Sequence, residues 1–297
     1  MNLTQFKAYQ FNQYSLAIES GIDTSLVEPI LVESILAESR LAEPRLVEPR
    51  LAEPKLVAEV VACDDSTIDE AGSFDQNLYS PDLTLSRNDD STGLQLQWQS
   101  PTLGELNFNI DVRALVKQHY SFPIPKQGAF NQALGKRSKT IIDASGGWGS
   151  DAILMAMQGY HVTVIERQPI MALLLQDAFY RFAQIEWVQN NAVAVPTLML
   201  ANAQNKLCDK TLVADCVYFD PMFPPKRKKS AAVNKHMQLL QWLVGQDADA
   251  AEVLSAFVAA NVPRIAVKRP HHAEPLLESP SEQFSSKLVH YDVYLNH

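Results

Sequence analysis

The sequence predicts an α/β fold: a doubly wound, largely parallel sheet over 136–297, a small β-containing subdomain over 78–135, and a low-complexity arm over 1–77. Three observations carry this. From Thr140 onward, apolar β-branched runs alternate with helical stretches, the pattern of a parallel sheet covered by helices. A glycine-rich turn, Ala144-Ser145-Gly146-Gly147-Trp148-Gly149-Ser150, follows the first of those runs. The front of the chain instead repeats a pentapeptide: LVEPI, LVESI, LAESR, LAEPR, LVEPR, LAEPK.

Residues 1–25 show no strong pattern. A period of five matches neither the 3.6 of a helix nor the 2 of a strand, so the repeats build no continuous apolar face. Pro29, Pro44, Pro49 and Pro54 would also interrupt a long helix. Over a partner-binding or spacer arm, the repeats read as a tandem expansion without function or at most an extended flexible tether, and the acidic arm is expected to be disordered. Residues 83–86 and 94–98 alternate apolar and polar about a polar turn with Gly93, which predicts a hairpin; 106–110 alternates too. The segment 113–139 holds Arg113, Lys117, His119, Lys126, Lys136, Arg137 and Lys139 with no acid. It reads as a second phosphate-contacting face, against the alternative of an ordinary solvated surface.

The sheet follows. Thr140–Asp143 is a buried strand, 151–158 begins a helix, and 161–165 is a second strand ending in Glu166. A helix over 169–185, a third strand at 186–190 and a helix from 193 come next. The almost wholly apolar run 212–219 forms the fourth strand and ends in Asp220. Helices at 230–244 and 249–261 lead to a fifth strand at 264–268, and 288–295 closes the sheet.

Composition narrows the function classes. A hydrophobic content of 46% over 297 residues supports a sizeable core. No apolar run reaches membrane-spanning length, and the N-terminus lacks a basic-then-apolar leader pattern, so a cytoplasmic protein without membrane association is expected. Cys63, Cys208 and Cys216 have no metal-ligand spacing, and neither metal nor disulfide is expected. The net charge of −9 is unevenly placed: residues 1–92 carry −11 and residues 93–297 carry +2. A local basic patch can therefore serve a nucleic acid despite the acidic total.

The candidate chemistry sits in Asp220-Pro221-Met222-Phe223-Pro224-Pro225-Lys226-Arg227-Lys228-Lys229. A parallel strand presents its carboxyl end to the ligand crevice, which puts Asp220 at its mouth. The carboxylate can accept from an NH₂ group, Phe223 can stack on a flat base, and the prolines stiffen the turn. Asp before Pro is also a common way to start a helix. The glycine turn lets backbone approach a ligand, and Glu166, ending the second strand, suits two ribose hydroxyls. Gly147-x-Gly149-x-x-Ala152 satisfies the dinucleotide fingerprint, while Asp143-x-Ser145-x-Gly147-x-Gly149 fits the turn of S-adenosylmethionine enzymes with Ser145 for the first glycine. Asp143 suits a cationic methionine moiety better than a pyrophosphate. An amine methyltransferase also needs the acid-proline-aromatic loop, whereas a nicotinamide-dependent oxidoreductase does not.

With those residues assembled, the chain resembles the Rossmann-like class I S-adenosylmethionine-dependent methyltransferases. Within them it is similar to the bacterial 16S ribosomal RNA guanine-N2 methyltransferase family RsmJ. The likeness rests on IIDASGGWGSDAILMAMQGYHVTVIERQPIMALLLQDA, on VYFDPMFPPKRKKSAAVNKHMQLLQWLVG and on AVKRP. It implies S-adenosyl-L-methionine as cofactor, with contacts at Ser150, Asp151, Glu166, Arg167, Asn191, Ala192 and Asp220. It implies methylation of a guanine N2 in the 16S ribosomal RNA of the small subunit; adenine N6 or a protein amide is the alternative. Asp220, Pro221 and Phe223 would act at the amine, and Lys226, Arg227, Lys228, Lys229, Lys268 and Arg269 would hold the RNA backbone. Two departures stand out. Ser150 occupies a place where the family usually has Arg, and Phe122-Pro123-Ile124-Pro125-Lys126-Gln127-Gly128 replaces a glycine-rich basic stretch.

Overall fold

The structure, a computed structural model, describes residues 6–10, 15–19, 27, 83–88, 93–100, 102–117, 122–208, 212–222, 235–244, 247 and 249–296. The chain divides into two units, Met1–Ile110 and Asp111–His297.

The first unit contains a five-stranded sheet, β1 (Phe6–Gln10), β2 (Ser15–Glu19), β3 (Leu83–Asn88), β4 (Gly93–Ser100) and β5 (Gly104–Phe108), hydrogen-bonded in chain order. The expected hairpin is present: β3 and β4 pair antiparallel, with Leu83 opposite Trp98 and Leu85 opposite Leu96. These side chains, with Leu106 and Phe108 of β5, are buried on alternate positions as a one-faced sheet requires. The prediction of disorder over 1–77 is corrected for two segments. β1 and β2 form an antiparallel pair, and β2 adds to β3 in parallel, with Leu16 and Ile18 fully buried. Alternation in Ser15-Leu16-Ala17-Ile18 drives this, too short a signal to stand out in an acidic arm. All but Val27 of the pentapeptide repeats lies outside the described residues.

The second unit is built on a seven-stranded sheet of order β11-β12-β10-β9-β6-β7-β8. Its strands are β6 (Thr140–Asp143), β7 (His161–Glu166), β8 (Thr197–Leu200), β9 (Cys216–Phe219), β10 (Arg264–Pro270), β11 (Glu282–Ser285) and β12 (Val289–Leu295). β8, β7, β6, β9 and β10 run parallel, while β12 and β11 add antiparallel. The parallel strands are apolar and β-branched because helices cover both faces. The helices are α1 (Val112–Val116), α2 (Gly128–Leu134), α3 (Ser150–Met157), α4 (Pro169–Ala183), α5 (Glu186–Asn190), α6 (Ala203–Cys208), α7 (Lys235–Val244) and α8 (Ala250–Ala259). On one face, Leu207 of α6 and Val253, Leu254 and Phe257 of α8 pack with Ile142, Ile165, Val217, Phe219, Ile265 and Val267. On the other, Phe130 of α2 meets the rings of Tyr218 and Tyr291 edge-on or tilted, at 5.4 and 5.9 Å.

Two expectations change. The boundary at 135/136 moves to Ile110/Asp111, because α2 is part of the larger unit: beyond its ring contacts, Arg264 of β10 donates to the Ala133 carbonyl at 2.6 Å. The third strand is not at 186–190, which is α5, but at Thr197–Leu200. Ala201 N–H continues the β7–β8 pairing by donating to the Glu166 carbonyl at 3.0 Å.

Candidate active site

Between β6 and β9 the connections diverge, β6 leading toward β7 on one side and β9 toward β10 on the other. A crevice outside the carboxyl ends is the expected consequence. It is present, enclosing about 670 Å³ including the space open to solvent, and its wall includes Ser145, Gly147, Glu166, Arg167, Asn202 and Asp220.

The glycine turn forms one wall. Gly147 and Gly149 adopt φ of +51° and +71°, left-handed values that favour glycine. Gly149 also abuts the buried Leu175: a Cβ there would lie 2.6 Å from its Cδ2. Gly149→Ala is expected to destabilise the protein by about 2–3 kcal/mol through left-handed strain and overpacking. Urea unfolding measures this, and an unchanged midpoint would contradict the tight turn.

Glu166 anchors the turn. One carboxylate oxygen accepts from Gly147 N–H at 2.9 Å and the other from Gln168 N–H at 2.7 Å. Burial pushes its pKa up, opposed by those backbone hydrogen bonds. Arg167 lies at the rim, paired with Asp247 and, at 3.5 Å, with Asp249. Asp247 also accepts from Met222 N–H at 2.6 Å, tying the loop after β9 to the segment between α7 and α8.

Asp143 is buried behind the wall, where its Oδ1 accepts from Ser145 N–H at 3.1 Å. The Ser145 hydroxyl, 3.4 Å from the same oxygen, accepts from Asp220 N–H at 2.7 Å. A serine in the glycine series thus joins the cofactor turn to the acid-proline loop. Pro221 is buried next to Asp220. Burial raises Asp220 to about 6; Lys268 opposes the shift and Asp151 adds to it. The Asp220 side chain nevertheless keeps 33% of its surface accessible, which moderates the effect of burial.

Asp151, in the first turn of α3, accepts from Tyr218 O–H at 2.6 Å and from Lys268 Nζ at 3.0 Å. Lys268 also donates to Asp220 Oδ2 at 2.9 Å. Ser150 opens α3 and is exposed.

Of the expected residues, Gly147, Glu166, Arg167 and Asp220 line the crevice, while Asp143 and Gly149 lie in or behind its glycine turn and Asp151 reaches Asp220 through Lys268. It places three groups differently. Asn191 and Ala192 follow α5 and lead into the amino end of β8, away from the crevice; Asn191 Nδ2 donates to the Trp187 carbonyl at 2.8 Å. With the third strand at Thr197–Leu200, the residues that follow it and line the crevice are Ala201 and Asn202. Lys268 is committed to two carboxylates instead of a phosphate. Arg269 is buried, with its guanidinium donating to the Glu274 carbonyl at 3.1 and 2.5 Å. Phe223, Lys226, Arg227, Lys228 and Lys229 lie outside the described residues. Lys136, Arg137 and Lys139 sit at the amino end of β6, on the sheet edge opposite the crevice.

The lining fits an adenosine-type group. Glu166 ends β7 as an acid held from behind by two N–H groups, ready to accept ribose hydroxyls. Ile165, Phe219, Leu240 and Val253 give the crevice an apolar lining, and Asn202 adds a polar group to it. Among the described residues no cluster of His, Cys, Asp and Glu could hold a metal ion, and no helix is long and apolar enough to cross a membrane.

Comparison with known proteins agrees with this geometry. A family model described as "Putative SAM-dependent methyltransferase" matches residues 80–296. Ribosomal RNA small subunit methyltransferase J of Legionella pneumophila (strain Paris) is 34% identical over 216 residues, covering 72% of this chain and 87% of that protein. The protein of the same name from Hydrogenovibrio crunogenus is 41% identical over 164 residues, 54% of this chain and 59% of its own length. The chain thus spans about three fifths of that and several other curated relatives it matches. A crystal structure of a SAM-dependent methyltransferase from Neisseria gonorrhoeae superposes with a TM-score of 0.54 at 26% identity, over 72% of this chain and 83% of that one. The nicotinamide alternative is set aside by these matches. The chain belongs to the family of S-adenosylmethionine-dependent methyltransferases that includes ribosomal RNA small subunit methyltransferase J.

Proposed function

We propose that the protein methylates the exocyclic N2 of a guanine in the 16S ribosomal RNA of the small subunit, acting in the cytoplasm. The observation that carries the reading is the placement of Asp220. It ends β9 at the crevice mouth beside Pro221, with its backbone held by Ser145 and one carboxylate oxygen held by Lys268. The names of the relatives support an RNA substrate.

When bound, S-adenosylmethionine supplies an electrophilic methyl group that needs neither metal nor covalent intermediate. Glu166 would hold the adenosine end at its ribose, and Asp143 beneath the glycine turn would favour the cationic end. A guanine amine is a poor nucleophile because its lone pair is delocalised into the ring. Asp220 accepts one N–H, turns the lone pair toward the methyl carbon and takes up the proton released as the N–C bond forms. Lys268 occupies Oδ2, which leaves Oδ1 for the amine. The Pro221 carbonyl takes the second N–H, and Phe223 supplies a stacking face for a base drawn out of its helix. Lys226, Arg227, Lys228 and Lys229 meet phosphates. Positioning supplies most of the rate.

Labelled S-adenosylmethionine, incubated with small ribosomal subunits from cells lacking the protein, should yield labelled N2-methylguanosine. Label in N6-methyladenosine or in a protein amide would favour the alternative amines. Because Asp220 acts as the carboxylate, transfer is expected above about pH 6 and should fall about tenfold per unit below it. A flat single-turnover profile through pH 5 would remove Asp220 from the proton's path.

A further inference from the structure

Resting on the methyl-transfer reading, we infer that Lys268 is a positioning residue: its ammonium bridges Asp151 and Asp220 and thereby presents Asp220 to the substrate amine as an oriented anion. The backbone explains why these groups meet. Val267 of β10 pairs with Phe219 of β9, so the next residues along the parallel strands, Lys268 and Asp220, emerge together at the carboxyl edge. Across the sheet, Lys268 pairs with Tyr291 of β12. Asp151 comes from a third element, the first turn of α3, and is itself held by Tyr218 O–H at 2.6 Å. One ammonium with three donors thus satisfies two acids, at 2.9 and 3.0 Å.

A bridge is needed because the crevice is crowded with acids. Asp220 is faced by Asp143 from β6, Asp151 from α3, Asp247 from the segment after α7, and the phenols of Tyr218 on β9 and Tyr291 on β12. Lys268 is the cation hydrogen-bonded to it. Burial would discharge this lysine, yet Asp220 and Asp151 together hold its pKa above the ordinary value. An opposite charge within about 4–6 Å lowers a carboxyl pKa by about 1–3 units. Without it, Asp220 would carry its proton at neutral pH, and Oδ1 would compete for hydrogen bonds as an acid instead of accepting from the amine.

The full chain is assayed for single-turnover transfer to undermodified small subunits, at saturating S-adenosylmethionine, between about pH 5 and 9. The wild type is compared with Lys268→Met, Lys268→Arg and Asp151→Asn. Lys268→Met should move the acid limb upward by about 1–3 pH units and regain rate at high pH. Lys268→Arg should restore the limb. Asp151→Asn, which removes a neighbouring negative charge but keeps a polar partner for Tyr218, should move it downward. A Lys268→Met variant slowed equally at every pH would show a purely structural lysine and overturn the inference. If that variant does not fold, Lys268→Gln, neutral but able to donate a hydrogen bond, decides: an upward limb supports the bridge and an unmoved one overturns it. If the wild type methylates no RNA, the functional reading fails on its own. Carbon-13 titration of the Asp220 carboxyl in wild type and Lys268→Met then still tests the bridge, an unmoved titration overturning it.

Discussion

Asp220→Ala is expected to lower single-turnover methyl transfer by about 1,000-fold while leaving S-adenosylmethionine affinity within a few-fold of wild type. The size follows from losing a positioned proton acceptor, typically worth about 10²–10⁴ in rate. The selectivity follows from the hydrogen bonds that survive. Asp220 contributes to the crevice through its backbone N–H, which bonds Ser145 Oγ at 2.7 Å and persists in alanine. Glu166 keeps its bonds to Gly147 and Gln168, because none of them involves the substituted side chain. Lys268 keeps Asp151 at 3.0 Å, so no buried cation is orphaned. Titration calorimetry and single-turnover assays on one preparation separate the effects. Intact turnover would remove Asp220 from catalysis, and loss of cofactor binding in step with rate would leave it its expected cofactor contact alone.

Much of the site was legible because its residues are chemically unusual where they stand. Asp143, Glu166 and Asp220 each end an apolar run, where an acid must be met by backbone N–H groups, a cation or a ligand. The glycine turn was legible for a similar reason, since Gly149 needs both a left-handed backbone and the absence of a Cβ. Asn202 was missed because strand pattern and helix pattern overlap between 186 and 200. Glu186–Asn190 carries two apolar residues among polar ones and reads either way, whereas Thr197–Leu200 is only four residues long. Pro196 just before Thr197 was the available signal, since a proline rarely sits inside a helix and often precedes a strand. The partners of Lys268 and Arg269 were not legible because local sequence shows a charge but not what meets it. The partners lie 117, 48 and 5 residues away along the chain, at Asp151, Asp220 and Glu274. β1 and β2 were hidden because β2 finds its neighbour β3 across more than sixty intervening residues.

Asp143→Asn is expected to trade cofactor affinity for stability. Asp143 is only 2% exposed. Burial raises its pKa to about 7, opposed by the Ser145 backbone hydrogen bond and aided by Asp151, Asp220 and Glu166. Below about pH 4 the carboxyl is protonated in both folded and unfolded chains and contributes no pH-dependent term. Between about 4 and 7 the unfolded chain ionises first, so stability is lost as pH rises, and the loss is complete above about 7. A pKa held at about 7 in place of the ordinary 3.8 corresponds to about 4 kcal/mol. Asparagine keeps an oxygen to accept from Ser145 N–H at 3.1 Å without carrying the charge. The variant should therefore be more stable than wild type by about 2–4 kcal/mol at pH 8, with the gain vanishing near pH 4. The same substitution removes a negative charge beneath the turn that receives the cationic end of S-adenosylmethionine. Affinity should fall about tenfold at pH 8, in line with the 1–3 units by which neighbouring opposite charges couple. Urea unfolding at both pH values and calorimetry at pH 8 measure the two halves. A destabilised variant at pH 8, or a gain equal at both pH values, would show that Asp143 is held by its hydrogen bonds and not kept, against its own burial, for the ligand's charge.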